Sequence, residues 1–231
     1  MMKKINIAID GLAGSGKSSV AKVVAKKLGY TYVDTGSMYR CVAYLLVKNK
    51  ISPSDDNKIE TILNENYNYV AKDGEVFLNG ENVTVQIRSK EVNEMLPKIV
   101  ANPVVRRALV VKQQEMGKAR GVIMDGRDIA SVVLKDAELK IYQIADLSVR
   151  ADRRYKENLE KGINTSYEDV LKNLEHRDYV DTYVSKALVK VDEAIVLDTT
   201  NMSFDEVVNC VLRLVEERVW VYDRGSCSIY R

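Results

Sequence analysis

Cysteine, proline and histidine are scarce in this 231-residue chain, which holds three, three and one of them. Cys41, Cys210 and Cys227 are odd in number, lie far apart and match no metal-ligand spacing. They argue against a disulfide framework or a zinc site and for a reducing compartment. With one histidine, His176, no histidine-based catalytic motif can be assembled, and that residue is expected to be structural or exposed. No Pro-rich linker, low-complexity segment or internal repeat interrupts the chain. An excess of one charge is missing as well: 35 basic residues face 33 acidic ones, a net charge of +2. A dedicated nucleic-acid binder usually carries a strong basic excess, so no nucleic-acid polymer is expected as a partner, while single-nucleotide binding stays open. No stretch is apolar enough for a bilayer span, and Met1-Met-Lys-Lys running straight into Ile5–Ile9 is too short and interrupted for a signal peptide. A cytoplasmic protein without membrane contact is the expectation.

What the chain does have is apolar material spread over its whole length, 46% of residues, enough for one domain of ordinary size. Short apolar runs alternate with helical patterning. Ile5–Asp10 reads as a buried parallel strand, and Val20, Val23, Val24 and Leu28 follow at helical spacing before Gly29. Tyr30–Val33, Gly121–Asp125, Leu139–Ile144 and Ala194–Asp198 are further strands, and Met38–Val47 a further helix. Ser203-Phe-Asp-Glu206 is a capping box opening a helix with Val207, Val208, Val211, Leu212 and Val215. Such alternation implies an α/β layer fold with a mostly parallel sheet. Between Tyr67 and Val85 the rhythm shortens, and the turn signals Asp73-Gly74 and Asn79-Gly80 predict a small antiparallel meander, a β insertion on the α/β core. The stretch from Val219 to Arg231, with Trp220 and Tyr222, is either a frayed tail or packs its aromatics on the core.

One motif stands out. Gly11, Leu12, Ala13, Gly14, Ser15, Gly16, Lys17 and Ser18 satisfy G-x-x-x-x-G-K-[ST] between a strand and a helix, the context of an ATP phosphate loop. Its glycines let successive N–H groups turn inward on phosphate oxygens, and the next helix adds its positive N-terminal end. Lys17 can reach the β- and γ-phosphates, and the Ser18 hydroxyl can ligate Mg²⁺. An Asn-Lys-x-Asp run for guanine is missing, and the chain is short for a transporter or AAA-type ATPase. Arginines occur instead where strands end. Asp34-Thr-Gly-Ser-Met-Tyr-Arg40 follows the second strand, and Asp125-Gly-Arg-Asp128 ends another, which puts Arg40, Arg127 and Asp128 at the active-site edge of the sheet. Arg150, Arg153 and Arg154 are spaced to share one helix face, and Arg177-Asp-Tyr-Val-Asp181 follows a further helical stretch. The set suits an enzyme holding two polyanions face to face.

The phosphate loop, Asp34–Arg40, Asp125–Asp128 and Arg177–Asp181, in that order along nearly the whole chain, resemble the bacterial cytidylate kinases, a branch of the nucleoside monophosphate kinases. Asn79-Gly-Glu-Asn-Val83 and Ile87–Val92 are similar to that branch's nucleotide-binding insertion. The resemblance implies a three-layer P-loop kinase core with a helical lid, and transfer from ATP, with Mg²⁺, to CMP or dCMP. It implies that Lys17, Arg40, Arg127, Arg153 and Arg177 are catalytic. Residues 11–18 with Ser19, Arg150 and Arg154 would bind ATP. Thr35, Arg40, Arg106, Arg127, Asp128, Arg177 and Asp181 would bind the acceptor, Asp128 and Arg106 reading cytosine. Ser18 would hold Mg²⁺, and Asp34 would either order a metal-bound water or cap the helix after Gly36. By the same resemblance the chain divides into a core (1–62, 93–147, 188–231), the insertion (63–92) and a lid (148–187), and works as a monomer.

The sequence departs from the family where a serine near the base is replaced by Pro97. It departs again where an arginine three residues after Asp181 is replaced by Val184, with Lys186 close by. A lysine offers a point charge rather than a bidentate fork. The chemistry agrees with the implied roles: a phosphate monoester, with a second pKa of about 6, is mostly dianionic at pH 7 and needs no general base. Two other readings remain open from sequence: a small P-loop kinase with a different monophosphate or alcohol acceptor, and a non-catalytic nucleotide-binding relative.

Overall fold

The computed structural model describes residues 3–72 and 74–224, with side chains as far as Val219. Asp73 of the expected turn, the side chains of Trp220 and Tyr222, and Cys227 lie outside the described residues. The chain forms two compact units. One runs from the N-terminus to Tyr32 and resumes at Ala119, and the other is Val33–Lys118.

The first unit carries the parallel sheet. Its strands are β1 (Ile7–Gly11), β2 (Thr31–Asp34, within which the unit boundary falls), β6 (Val122–Gly126), β7 (Leu139–Ile144) and β8 (Ile195–Asp198), in the spatial order β2-β6-β1-β7-β8. β1 is central and pairs in parallel with β6 and β7, with Ile9 opposite Asp125 and Gly11 opposite Gln143. A central parallel strand is covered on both faces, which is why β1 is buried at every position. Helices α1 (Lys17–Leu28) and α8 (Phe204–Arg224) lay Val20, Ala21, Val24, Val207, Val208, Val211 and Val215 on Ile7, Ile123, Leu139 and Ile141. Ser203 and Glu206 form the expected capping box: the Ser203 hydroxyl accepts from the Glu206 N–H at 3.3 Å, and the Glu206 carboxylate accepts from the Ser203 N–H at 2.8 Å.

Between β7 and β8 lie α6 (Leu147–Glu160) and α7 (Tyr167–Tyr179), which pack on each other and against Ala13 of the loop after β1. Two single turns of π-helix, Ile129–Val133 after β6 and Val180–Val184 after α7, are irregular features that no spacing in the sequence marks. Such turns often occur at functional sites.

The second unit contains α2 (Thr35–Lys48), α3 (Asp56–Glu65), α4 (Lys90–Ala101) and α5 (Pro103–Gly117), with Met38, Leu46, Ile59, Leu63, Ile99 and Leu109 buried among them. The expected meander is present as β3 (Tyr69–Lys72), β4 (Glu75–Leu78) and β5 (Glu81–Asn82), antiparallel throughout and turned at Asn79-Gly80, both at positive φ. Ile87–Val92 follows the meander in the chain. It is a 3-10 turn and the start of α4, capped by the Ser89 hydroxyl. Among the described residues, no helix is long and apolar enough to cross a membrane.

Candidate active site

The loop from Gly11 to Lys17 is shaped by close backbone approach. Gly11 sits at φ 153°, and a Cβ there would come within 2.1 Å of the Gln143 main-chain oxygen. Gly14 and Gly16 are also at positive φ, 72° and 87°. Gly16 precedes α1 without any side-chain cap, so the first N–H groups of that helix are left for an anion. Lys17 folds back and donates from Nζ to the Leu12 carbonyl at 3.0 Å.

Charges of both signs gather around this lysine. Burial lowers its pKa to about 7, helped by Arg127 and Arg177 and opposed by Asp125 and Asp181. Ser18 donates from Oγ to Asp125 Oδ2 at 2.6 Å, and Tyr32 donates to Asp125 Oδ1 at 2.7 Å. Asp10, buried at the end of β1, accepts from the Ile129 and Ala130 N–H groups, both at 2.8 Å. It thereby fastens the turn that follows Arg127 and Asp128. Burial, with the Asp128 charge adding to it, pushes the Asp10 carboxyl up to about 6 against those two hydrogen bonds.

Arg127 donates from Nε to Asp181 Oδ2 at 2.6 Å, joining the end of β6 to the π-turn after α7. Asp128 is the residue immediately before the other π-turn. Arg177 lies in the last turn of α7 and is exposed. The three arginines of α6 share a helix face, as their spacing predicts, but their side chains reach different partners. Arg150 is buried and donates to the Ala145 and Ala13 carbonyls at 2.8 and 2.9 Å, with Asp178 at 2.7 Å. Arg153 donates to the Thr199 carbonyl at 2.7 Å. Arg154 pairs with Glu157 in solvent and, with Arg177, lines a cavity of about 280 Å³ between α6 and α7. Long side chains leave one helix face in different directions when different acceptors are within reach.

Thr35, Arg40 and Arg106 belong to the second unit. Thr35 is the buried first residue of α2, and Asp34 caps that helix by accepting from the Ser37 N–H at 2.9 Å. The helix therefore begins two residues earlier than one starting after Gly36. Arg40 donates to Asn93 Oδ1 at 2.7 Å and to the Ile87 carbonyl at 3.2 Å. Arg106 stands in the first turn of α5, whose start is fixed by Asn102 accepting from the Val104 and Val105 N–H groups. Val184 and Lys186 are exposed, and Pro97 is an exposed interior residue of α4.

Asp10, Tyr32 and Gln143 were not picked out by sequence reasoning, and Asp125 and Asp178, though within motifs, were given no role of their own. For Asp10 and Asp125 a signal was present: each is an acid closing an apolar strand, where a buried charge needs a reason. Gln143 had a fainter one, a polar residue at a buried position of β7.

A glycine-lined loop on a central parallel strand, an uncapped helix start and a buried lysine among arginines define a P-loop phosphotransferase. The family model for cytidylate kinase matches residues 7–217. Cytidylate kinases of Ligilactobacillus salivarius and Listeria monocytogenes are 46% and 47% identical over 222 and 223 residues, covering 94% and 95% of this chain and 99% of each relative. That of Flavobacterium johnsoniae is 45% identical over 227 residues, again 94% and 99%. The chain belongs to the cytidylate kinase family. Among solved structures, an uncharacterized protein from Eubacterium ventriosum shares the fold alone, with TM-score 0.50 and 16% identity over 93% of this chain and 99% of that one.

Gly11→Ala is expected to lose on the order of 3 kcal/mol of stability in urea unfolding, because the new methyl meets a backbone oxygen that cannot turn aside. It is also expected to lose ATP binding by titration calorimetry.

Proposed function

We propose that this chain transfers the γ-phosphoryl group of ATP to CMP and dCMP, giving CDP and dCDP, as a monomer in the cytoplasm. The observation that carries the reading is the phosphate loop of a near-full-length cytidylate kinase relative, surrounded by arginines.

In this reading Lys17 and the N–H groups of residues 11–19 hold the ATP phosphates. Ser18 Oγ and Asp125, 2.6 Å apart, form a hard-oxygen pair suited to Mg²⁺. Among the described residues no three His, Cys, Asp or Glu side chains cluster as a cage. That fits an ion held largely by water and substrate phosphates. When bound, Mg²⁺ neutralises charge on the β- and γ-oxygens; Asp34 is assigned to it through water. Arg40 and Arg127 are each assigned to the CMP phosphate, a guanidinium being suited to phosphate oxygens as it is to the Asp181 carboxylate that Arg127 meets at 2.6 Å. Arg177 and Asp181 act at the acceptor phosphate and sugar, with Thr35 beside them in role. Residues 148–187, with Arg150, Arg153 and Arg154, form a lid over ATP, residues 63–92 a nucleotide-binding insertion, and 1–62, 93–147 and 188–231 the core. The acceptor is already a dianion, so catalysis consists of alignment and charge neutralisation, and exclusion of water suppresses ATP hydrolysis.

Asp128 and Arg106 are assigned to the base. The cytosine amine donates where uracil has a carbonyl, so a carboxylate accepts from one and repels the other.

A coupled ADP-release panel with CMP, dCMP, UMP, AMP and shikimate tests the reading. CMP and dCMP are expected to give the highest kcat/KM; preference for AMP or shikimate, or no stimulation by CMP, would refute it. Asp128→Ala is expected to lower the CMP/UMP ratio of kcat/KM by about tenfold or more, since a hydrogen bond to a charged group is at stake. An unchanged ratio would remove Asp128 from base recognition.

A further inference from the structure

Gln143 occupies the fifth position of β7, on the buried row that Leu139 and Ile141 begin, and is 1% exposed. An amide is a costly occupant there. Its Oε1 is buried without a hydrogen-bond partner, a loss of about 1–3 kcal/mol that a leucine would not incur. What the amide does make is one short bond: Nε2 donates to the Ser15 carbonyl at 2.6 Å. The reverse orientation would set Oε1 against that carbonyl, acceptor against acceptor, so the loop itself fixes which way the amide faces.

The Ser15 carbonyl belongs to the peptide unit whose other end is the Gly16 N–H. The unit is planar and trans, so the two groups point in opposite directions. Drawing the carbonyl down onto β7 turns the Gly16 N–H away from the sheet, toward the side where an anion meets the start of α1. The same residue lies close to the loop at two further points. Its main-chain oxygen lies against Gly11, and Nε2 would be 3.7 Å from a Cβ on Gly16.

We propose that Gln143 is a positioning residue for the donor nucleotide. It locks the Ser15–Gly16 peptide so that the Gly16 N–H faces the ATP phosphates, and it is retained although its Oε1 is buried without a partner. The inference rests on the phosphate-loop reading above and adds to it a residue that touches no substrate.

Gln143→Leu and Gln143→Met keep the size and remove the amide, in a row where apolar neighbours make folding secure. Three quantities separate positioning from packing: Kd for ATP by calorimetry, kcat/KM for CMP at saturating ATP, and Tm. Both variants are expected to bind ATP about tenfold more weakly, the worth of one well-placed hydrogen bond. They should keep kcat/KM for CMP within about twofold and melt within a few degrees of the wild type, because the orphan Oε1 is removed while the Ser15 carbonyl loses its donor. ATP affinity within about twofold of wild type would overturn the proposal, and so would a Tm lowered beyond that range with equal losses for both substrates. The parent reading is tested by the wild type alone: if the wild type binds ATP but does not phosphorylate CMP, that reading fails while the affinity and melting comparisons still decide the role of Gln143.

Discussion

A buried ammonium group sets the terms for the rest of this structure. Lys17 is enclosed at the head of α1, hydrogen-bonded to a neutral carbonyl, with Arg127 and Arg177 adding charge of its own sign. Close by, Asp10 is held as a buried carboxyl with a raised pKa. A fold selected for stability alone would fill these positions with apolar or paired groups. Lys17 has its folded value below its ordinary one, so its cost is borne while the ammonium is charged and fades as pH rises from about 7 to 10.5. Asp10 has its folded value above its ordinary one, so its cost fades as pH falls from about 6 to 3.8. At neutral pH both costs are present, each of the order of a few kcal/mol at about 1.4 kcal/mol per pKa unit.

The surrounding architecture makes that arrangement tolerable and useful. Three adjacent parallel strands end side by side, delivering Gly11 and its loop from β1, Asp125 from β6 and Gln143 from β7. Asp125 ties Ser18 and Tyr32, Asp10 ties the turn after Asp128, and Arg150 reaches from α6 to the Ala13 carbonyl and to Asp178. The positive groups are thus held in place before a ligand arrives. Groups fixed before reaction are what electrostatic catalysis draws on.

Much of this was legible in the sequence because local chemistry and global fold agree. The phosphate loop needs three glycines and a lysine at fixed offsets, the Ser203–Glu206 box announces α8, and Asn79-Gly80 announces the turn between β4 and β5. Where the outcome depended on partners distant in sequence, the reading fell short. Spacing put Arg150, Arg153 and Arg154 on one helix face but could not show that Arg150 reaches the Ala13 carbonyl and Arg153 the Thr199 carbonyl. Gln143 looked like one polar residue in an apolar strand, because the carbonyl it serves is 128 residues away. The two π-turns likewise are tied by tertiary contacts, one to Asp10 and the other to Arg127.

The central claim is that the loop encloses the Lys17 side chain at a cost to the protein's own stability, and urea unfolding of Lys17→Met across pH tests it most directly. The variant is expected to be more stable than the wild type at pH 7, by on the order of 1–3 kcal/mol, with the gap closing toward pH 10. A variant that is no more stable at pH 7, or a gap that does not change with pH, would contradict the account.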